Sequence, residues 1–399
     1  MITHLVSFSD DAAYRFRMLF NPIPNHKERG FDIMFGEDIQ QLMGMPMKYT
    51  ALYAFLILFP LISLIFSGCQ RIQQVIVPEK ITTYQTSTPT QRVLNLGFYA
   101  YFEPVSSSAD PNPTSDKFNT HQGYEADLLT ALEIMDAPGL SFARSAISEW
   151  HGIWLKAAEP EYDIIGGGIT ILDSRTKDAS GTPRVTFTSG HIKFRQSLLV
   201  RSEDTEELSD YTSLTRSVRV GVLSGTTGEA RLLELTGIVD ADGVLLKGTR
   251  IETRHDTIIT DGTSAYRITA AGASANLADR RYLYPPSEQM PEVIYLGDTL
   301  GESELLQALA KGSIDAIARG EIGNRDAAYT TSGTFVVTAL DNQVEYGGFA
   351  LAIEDAELVA WLDERLNYLT DNSNIGYAEW LEDRRVFMTR AEMWNTTER

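Results

Sequence analysis

The sequence predicts an α/β protein of two lobes with a ligand cleft between them. Three observations predict it. From Arg92 onward, short apolar runs alternate with segments of helical period. Two such series occur, and the second begins near Val218 after a crossing strand at 194–201. Near 338–349 the pattern returns to strand and then to a helix at 356–369, so the end of the chain is expected to rejoin the first lobe. Alternation of this kind favours largely parallel sheets covered by helices. Clefts between domains are favoured places for small ligands.

The chain has 399 residues, 43% hydrophobic and 22% charged, which suffices for two or three domains with filled cores. Its formal net charge of −20 argues against nucleic acid as a partner, because phosphate contacts need basic patches. The single cysteine, Cys69, rules out an internal disulfide, and no Cys/His cluster has zinc spacing. No metal and no cofactor are therefore expected.

Residues 1–46 do not resemble a signal peptide, and Met45 and Met47 are plausible starts. The segment reads either as an over-extended gene start or as a short cytoplasmic tail. Residues 50–68 form a nearly unbroken apolar run without charge, long enough to span a bilayer. It ends in Ile65-Phe66-Ser67-Gly68-Cys69. A basic start, an apolar centre and small residues before a cut site make a secretory signal over 47–69. Cys69 after Ser-Gly is similar to a bacterial lipoprotein box, where the cysteine is lipidated; Phe66 departs from the aliphatic residue usual there. An uncleaved membrane anchor is the alternative. Either way the folded part is expected outside the cytoplasm, in the periplasm or at the cell surface, on a polar linker at 70–91.

Lobe one is expected over 92–200 and 340–399, and lobe two over 201–339. In order, 93–98 reads as strand, 124–135 as helix, 140–144 as strand, 149–158 as amphipathic helix and 163–165 as strand. In the second series, 218–223 reads as strand, 229–235 as helix, 293–296 as strand, 303–311 as helix and 314–318 as strand. Residues 245–290 break this rhythm with alternating stretches around Asp261-Gly262 and Ala271-Gly272. They read as a hairpin-like insertion: a solvated decoration, a lid or a partner surface.

The most informative stretch is Gly166-Gly167-Gly168-Ile169-Thr170, followed by Arg175. It reads as a strand that ends in glycines, then a turn, then a helix start. Glycines let a ligand approach the backbone, free N–H groups at a helix start attract anions, and arginine offers a fork that fits a carboxylate. A small carboxylate is the ligand this combination suggests; an ordinary turn with a surface arginine is the plainer reading.

Taken in order, these motifs resemble extracellular solute-binding protein family 3, the amino-acid-binding receptors of ABC transporters. The resemblance covers most of 92–385 apart from the insertion. It rests on Gly123-Tyr124-Glu125-Ala126-Asp127-Leu128, Glu149-Trp150-His151-Gly152-Ile153-Trp154, Gly168-Ile169-Thr170-Ile171 with Arg175, Gly225-Thr226-Thr227, and Gly312-Ser313-Ile314-Asp315-Ala316. It implies a two-lobe, type II periplasmic-binding-protein-like fold that closes on an amino acid or related small carboxylate. It also implies a monomer that delivers this ligand to an ABC permease. Arg175 matches the residue that holds the ligand carboxylate, Gly168 and Thr170 its neighbours, and Thr227 the second-lobe helix start that faces the same group. Phe102 matches a stacking aromatic, Tyr99 a side-chain selector and Trp150 a second wall.

Two departures stand out. The carboxylate for the ligand amino group is displaced, with Gly320 in its place and Glu321 one position late, so that either Glu321 shifts in or the ligand is not a standard α-amino acid. Arg319 is then a candidate for a second anionic group. Leu172 replaces a common threonine. A rival reading is an enzyme on the same scaffold, similar to a cyclohexadienyl dehydratase, with Glu321 as its acid or base. A third is an anchored sensory domain.

Overall fold

The computed structural model describes residues 92–297 and 301–397. The expectations for 1–46, the apolar segment, Cys69 and the linker lie outside the described residues. Among the described residues no helix is long and apolar enough to cross a membrane.

Two mixed sheets form the frame. The first has five strands in the order Leu140–Ile147, Arg92–Tyr99, Ile164–Gly166, Ala350–Ala352, Val185–Phe187. Its first three strands run parallel, and Ala350–Ala352 is antiparallel to both of its neighbours. The second has eight, in the order Thr257–Ile259, Arg250–Thr253, Arg280–Tyr284, Glu292–Tyr295, Arg219–Val222, Ala316–Gly320, Gln196–Arg201, Phe335–Leu340. Its parallel centre is again three strands, with Arg219–Val222 between Glu292–Tyr295 and Ala316–Gly320. The sheets are thus less parallel than the alternation suggested, because crossing strands and insertion add antiparallel edges to each parallel centre. Gln196–Arg201 pairs with Ala316–Gly320, so the first crossing between lobes lies before Gln196 rather than after residue 200.

Helix Tyr124–Met135 buries Leu128, Leu129, Leu132 and Met135 along one side. They pack on Leu94, Leu96 and Phe98 of strand Arg92–Tyr99 and on Trp380 and Phe387 from the end of the chain. The Asp136-Ala137-Pro138-Gly139 turn ends the helix, since proline has no N–H to continue it. The helix expected at 149–158 is only a 3₁₀ segment, Ile153–Ala158. Gly152 holds a left-handed φ of 68° just before it, and Pro160 follows, so no longer helix fits.

The insertion is part of the second lobe's core. Ile251, Ile268, Leu277 and Leu283 are buried with Val220, Val222, Leu232 and Leu233. Each such side chain contributes about 2 kcal/mol by leaving water. Arg280 of the insertion meets Glu229 at 2.6 Å in a buried ion pair, and Glu229 also accepts from Gly225 N at 2.6 Å. The reading of 245–290 as a solvated decoration does not survive this burial.

One buried group sets a pH dependence. The His121 ring stacks 4.0 Å from Phe98, and its Nε2 lies 2.9 Å from Ser106 Oγ. Burial, and then nearby Arg144, pull its pKa down to about 3. A free histidine binds a proton near 6.5, so between the two values the unfolded chain holds more protons than the folded one. This contribution is intact above about pH 6.5 and falls by about 1.4 kcal/mol per unit as the pH drops towards 3. Urea unfolding at pH 7 and pH 5 should show a larger loss in the wild type than in His121→Phe. Equal losses would remove His121 as the source.

Candidate functional site

The parallel centres bring the carboxyl ends of their strands to one place. Tyr99 closes Arg92–Tyr99, Gly168 follows Ile164–Gly166, Leu223 follows Arg219–Val222, and Arg319 and Gly320 end Ala316–Gly320. Crevices outside the carboxyl ends of parallel strands are where α/β proteins bind ligands. A cavity of about 50 Å³ lies here, lined by Tyr99, Phe102, Trp150, Gly168 and Thr170 from the first lobe. Phe194, Gln196, Leu223, Thr226, Thr227, Gly228, Glu302, Arg319 and Gly320 complete it. That space suits a few water molecules, so a larger solute enters only when the lobes part. A wider depression of about 500 Å³ is lined among others by Glu103, His121, Arg144, Asp326 and Arg384. It shares no lining residue with the smaller cavity.

The aromatic wall is tightly set. Gly168 has a φ of +65°, and a Cβ there would lie 2.5 Å from the Phe102 ring, so only glycine lets that ring sit on the turn. Tyr99 and Trp150 meet edge to face at 5.0 Å. Burial, with Glu302 nearby, pushes the Tyr99 hydroxyl well above its usual range. Across the cavity, Gly228 lets helix Thr227–Leu235 approach the opposite strand, since a Cβ there would lie 2.7 Å from Ala318 O. Thr226 Oγ1 caps this helix by accepting from Glu229 N at 3.1 Å.

Two expectations about the glycine turn are corrected. Gly168, expected to present its backbone to a ligand, has its N–H already engaged: Gly167 N and Gly168 N donate to the buried Glu125 carboxylate at 2.7 and 2.9 Å. The oxygen that accepts from Gly168 N, Oε1, also meets His191 Nε2 at 3.0 Å. The helix start carrying Arg175 is a four-residue 3₁₀ turn, Asp173–Thr176.

Arg175 itself does not line the cavity. It is 1% exposed. Its Nε and Nη2 donate to Ala270 O of the insertion at 3.1 and 2.9 Å. Nη2 also reaches Gly225 O and Nη1 reaches Thr170 O, both at 3.3 Å. The guanidinium lies 4.4 Å from the Trp154 ring centroid. Burial lowers its pKa to about 9, opposed by Glu345, so it stays charged at neutral pH. Instead of facing an open fork into the cleft, Arg175 clasps the two lobes together through carbonyl groups.

Glu321 is corrected as well. It opens helix Glu321–Thr330, accepts from Arg195 N at 3.1 Å and receives Arg325 Nε at 3.1 Å. It is absent from the cavity wall, where Gly320 stands. Arg319 does line the wall, but its guanidinium is committed to Asn324 Oδ1 at 2.7 Å, Gly323 O at 2.7 Å and Glu302.

Three polar residues were missed in the sequence. Glu302 lines the cavity; burial raises its carboxyl above the usual range, and Arg319 opposes the shift. Gln196 is 1% exposed, and its Nε2 donates to Thr227 Oγ1 at 2.8 Å and to both oxygens of Glu345 at 3.1 Å. Glu345 lies behind the wall, accepts from Thr170 Oγ1 at 3.1 Å, and is likewise raised by burial. Gln196 is the first residue of a mostly apolar strand and Glu345 sits among glycines and aromatics, so neither carried a local signal.

No family model matches the chain, and no curated protein matches it. Solved structures match its course over most of their own length at low identity. An ancestral amino acid-binding protein, described as a precursor of cyclohexadienyl dehydratase, is 19% identical. The match covers 76% of this chain and 95% of that one, with a TM-score of 0.46. Holo ArgBP from T. maritima is 18% identical over 72% of this chain and 96% of its own, with a TM-score of 0.45. An ancestral arginine-binding protein bound to arginine is 15% identical over 76% and 97%, with a TM-score of 0.46. These are likenesses of chain course.

Proposed function

We propose that this chain is an extracytoplasmic solute receptor whose lobes part, admit one small polar solute and close on it. The observation that carries the reading is the cavity at the facing strand ends, with walls from both lobes. A solute held there touches both halves at once, so it favours the closed arrangement by its differential affinity for that state. The chain delivers the solute to an ABC permease as a monomer, held at the membrane by a lipidated Cys69. Binding rather than turnover is its activity, since Glu321, the acid or base named for an enzyme, is engaged elsewhere.

A thermal-shift screen of polar solutes tests this. A solute at a hundred times its Kd adds about 2.7 kcal/mol and raises Tm by about 4 °C, and it is recovered unchanged afterwards. A screen in which no small solute moves Tm, or in which the solute is converted, would overturn the receptor reading. Mass analysis of the mature chain should find lipid on Cys69; an intact, unlipidated N-terminus would remove the anchor.

A further inference from the structure

We propose that the solute carries a hydrogen-bond-donating nitrogen, as an amine or primary amide, and no carboxylate at Arg175. This deepens the receptor reading above and rests on it. The argument begins with the fork of Arg175. Its Nε and Nη2 close on one oxygen, Ala270 O, at 3.1 and 2.9 Å, the place a carboxylate oxygen would take. The hairpin Ile268–Thr269 and Gly272–Ala273 that presents this carbonyl is anchored in the second lobe. Ile268 is buried in that lobe's core, and Ile268 N donates to Gly243 O at 2.8 Å. The hairpin therefore travels with the second lobe. Each closure carries Ala270 O into the fork, and a carboxylate already there would hold the lobes apart. A solute that stabilises the closed state has to leave Arg175 to the protein.

The cavity's own polar groups point to what takes its place. Trp150 Nε1 donates to Gly225 O at 3.0 Å, Thr226 Oγ1 to Leu223 O at 2.8 Å, and Thr170 Oγ1 to Glu345. The three donating nitrogens of Arg319 all have acceptors. By contrast, Gln196 Oε1 is buried without a partner. The amide orientation is fixed, because Nε2 faces both Glu345 oxygens and an oxygen there would meet like charge. An unpaired buried acceptor costs free energy that an N–H donor recovers. Glu302 supplies a second acceptor on the same wall, and Phe102, Trp150 and Phe194 supply apolar and π faces that suit an alkylamine.

Isothermal titration of the full chain with matched pairs tests this: arginine and agmatine, ornithine and putrescine, glutamine and 4-aminobutanamide. Within each pair only the carboxylate differs. At least one decarboxylated member should bind, and its parent acid should bind at least tenfold more weakly. Gln196→Met should weaken that binding at least tenfold, and the wild-type pairs decide the matter even if this variant fails to fold. Parent acids that bind as tightly as their partners, or more tightly, overturn this inference and leave the receptor reading standing. If none of these pairs binds while another solute of the wider screen does, this inference falls alone; if nothing binds, both fall.

Discussion

Arg175→Ala should destabilise the protein by about 3–4 kcal/mol and let the lobes separate. The wild-type side chain bonds three buried carbonyl groups, those of Ala270, Gly225 and Thr170. Two of these belong to the second lobe and one to the first. Bonds from a charged donor contribute about 1.5–3 kcal/mol each, but they share one guanidinium and do not add. Loss of the stacking on Trp154 adds to the cost. Water can reach the released carbonyls once the lobes part, which caps the penalty. Arg175→Lys should recover only a fraction, because a single ammonium cannot span the planar fork. Urea unfolding measures the stability, and small-angle scattering the separation, as a larger radius of gyration. A variant with unchanged dimensions and an unchanged midpoint would show that the clasp does not hold the lobes.

Glu125→Ala should cost a similar amount, about 3–4 kcal/mol, and loosen the glycine turn. The carboxylate is fully buried and serves Gly167 N, Gly168 N and His191 Nε2 together. Alanine leaves two backbone donors and an imidazole nitrogen unpaired in a site that water cannot easily reach. Glu125→Gln should cost less, because one oxygen still accepts while its amide N–H faces another donor. Hydrogen exchange at Gly167 and Gly168 reads the effect directly. Both amides should exchange much faster in Glu125→Ala, and solute affinity should drop because the turn carries Gly168 and Thr170. Unaltered exchange would mean that other contacts hold the turn.

The local elements were largely legible. Helices Tyr124–Met135 and Ala356–Leu369 stand where apolar periodicity put them, because each buries one apolar face in the first lobe's core. The strand at Arg92–Tyr99 and the capped helix after Thr226 were equally clear. The 149–158 segment was misjudged because its periodicity was real but Gly152 prevents the α conformation. The cavity wall of Tyr99, Phe102, Trp150, Gly168, Thr170 and Thr227 gathers residues to which the family resemblance pointed; of these only the glycine turn at Gly168 and Thr170 carried a local signal of its own. Arg175 and Glu321 were misplaced because nothing near them in the chain names their partners.

The sequence by itself determined the alternating α/β plan, because burial periodicity and turn chemistry act over a few residues at a time. It also determined which aromatic and glycine residues lie at the strand ends. Only the tertiary structure decided how the polar groups are spent. Arg175 meets a carbonyl 95 positions away, and Gln196 meets a carboxylate 149 positions away. A hydrogen bond depends on direction and on distances of about 3 Å, and those are set only when both lobes and the insertion have packed.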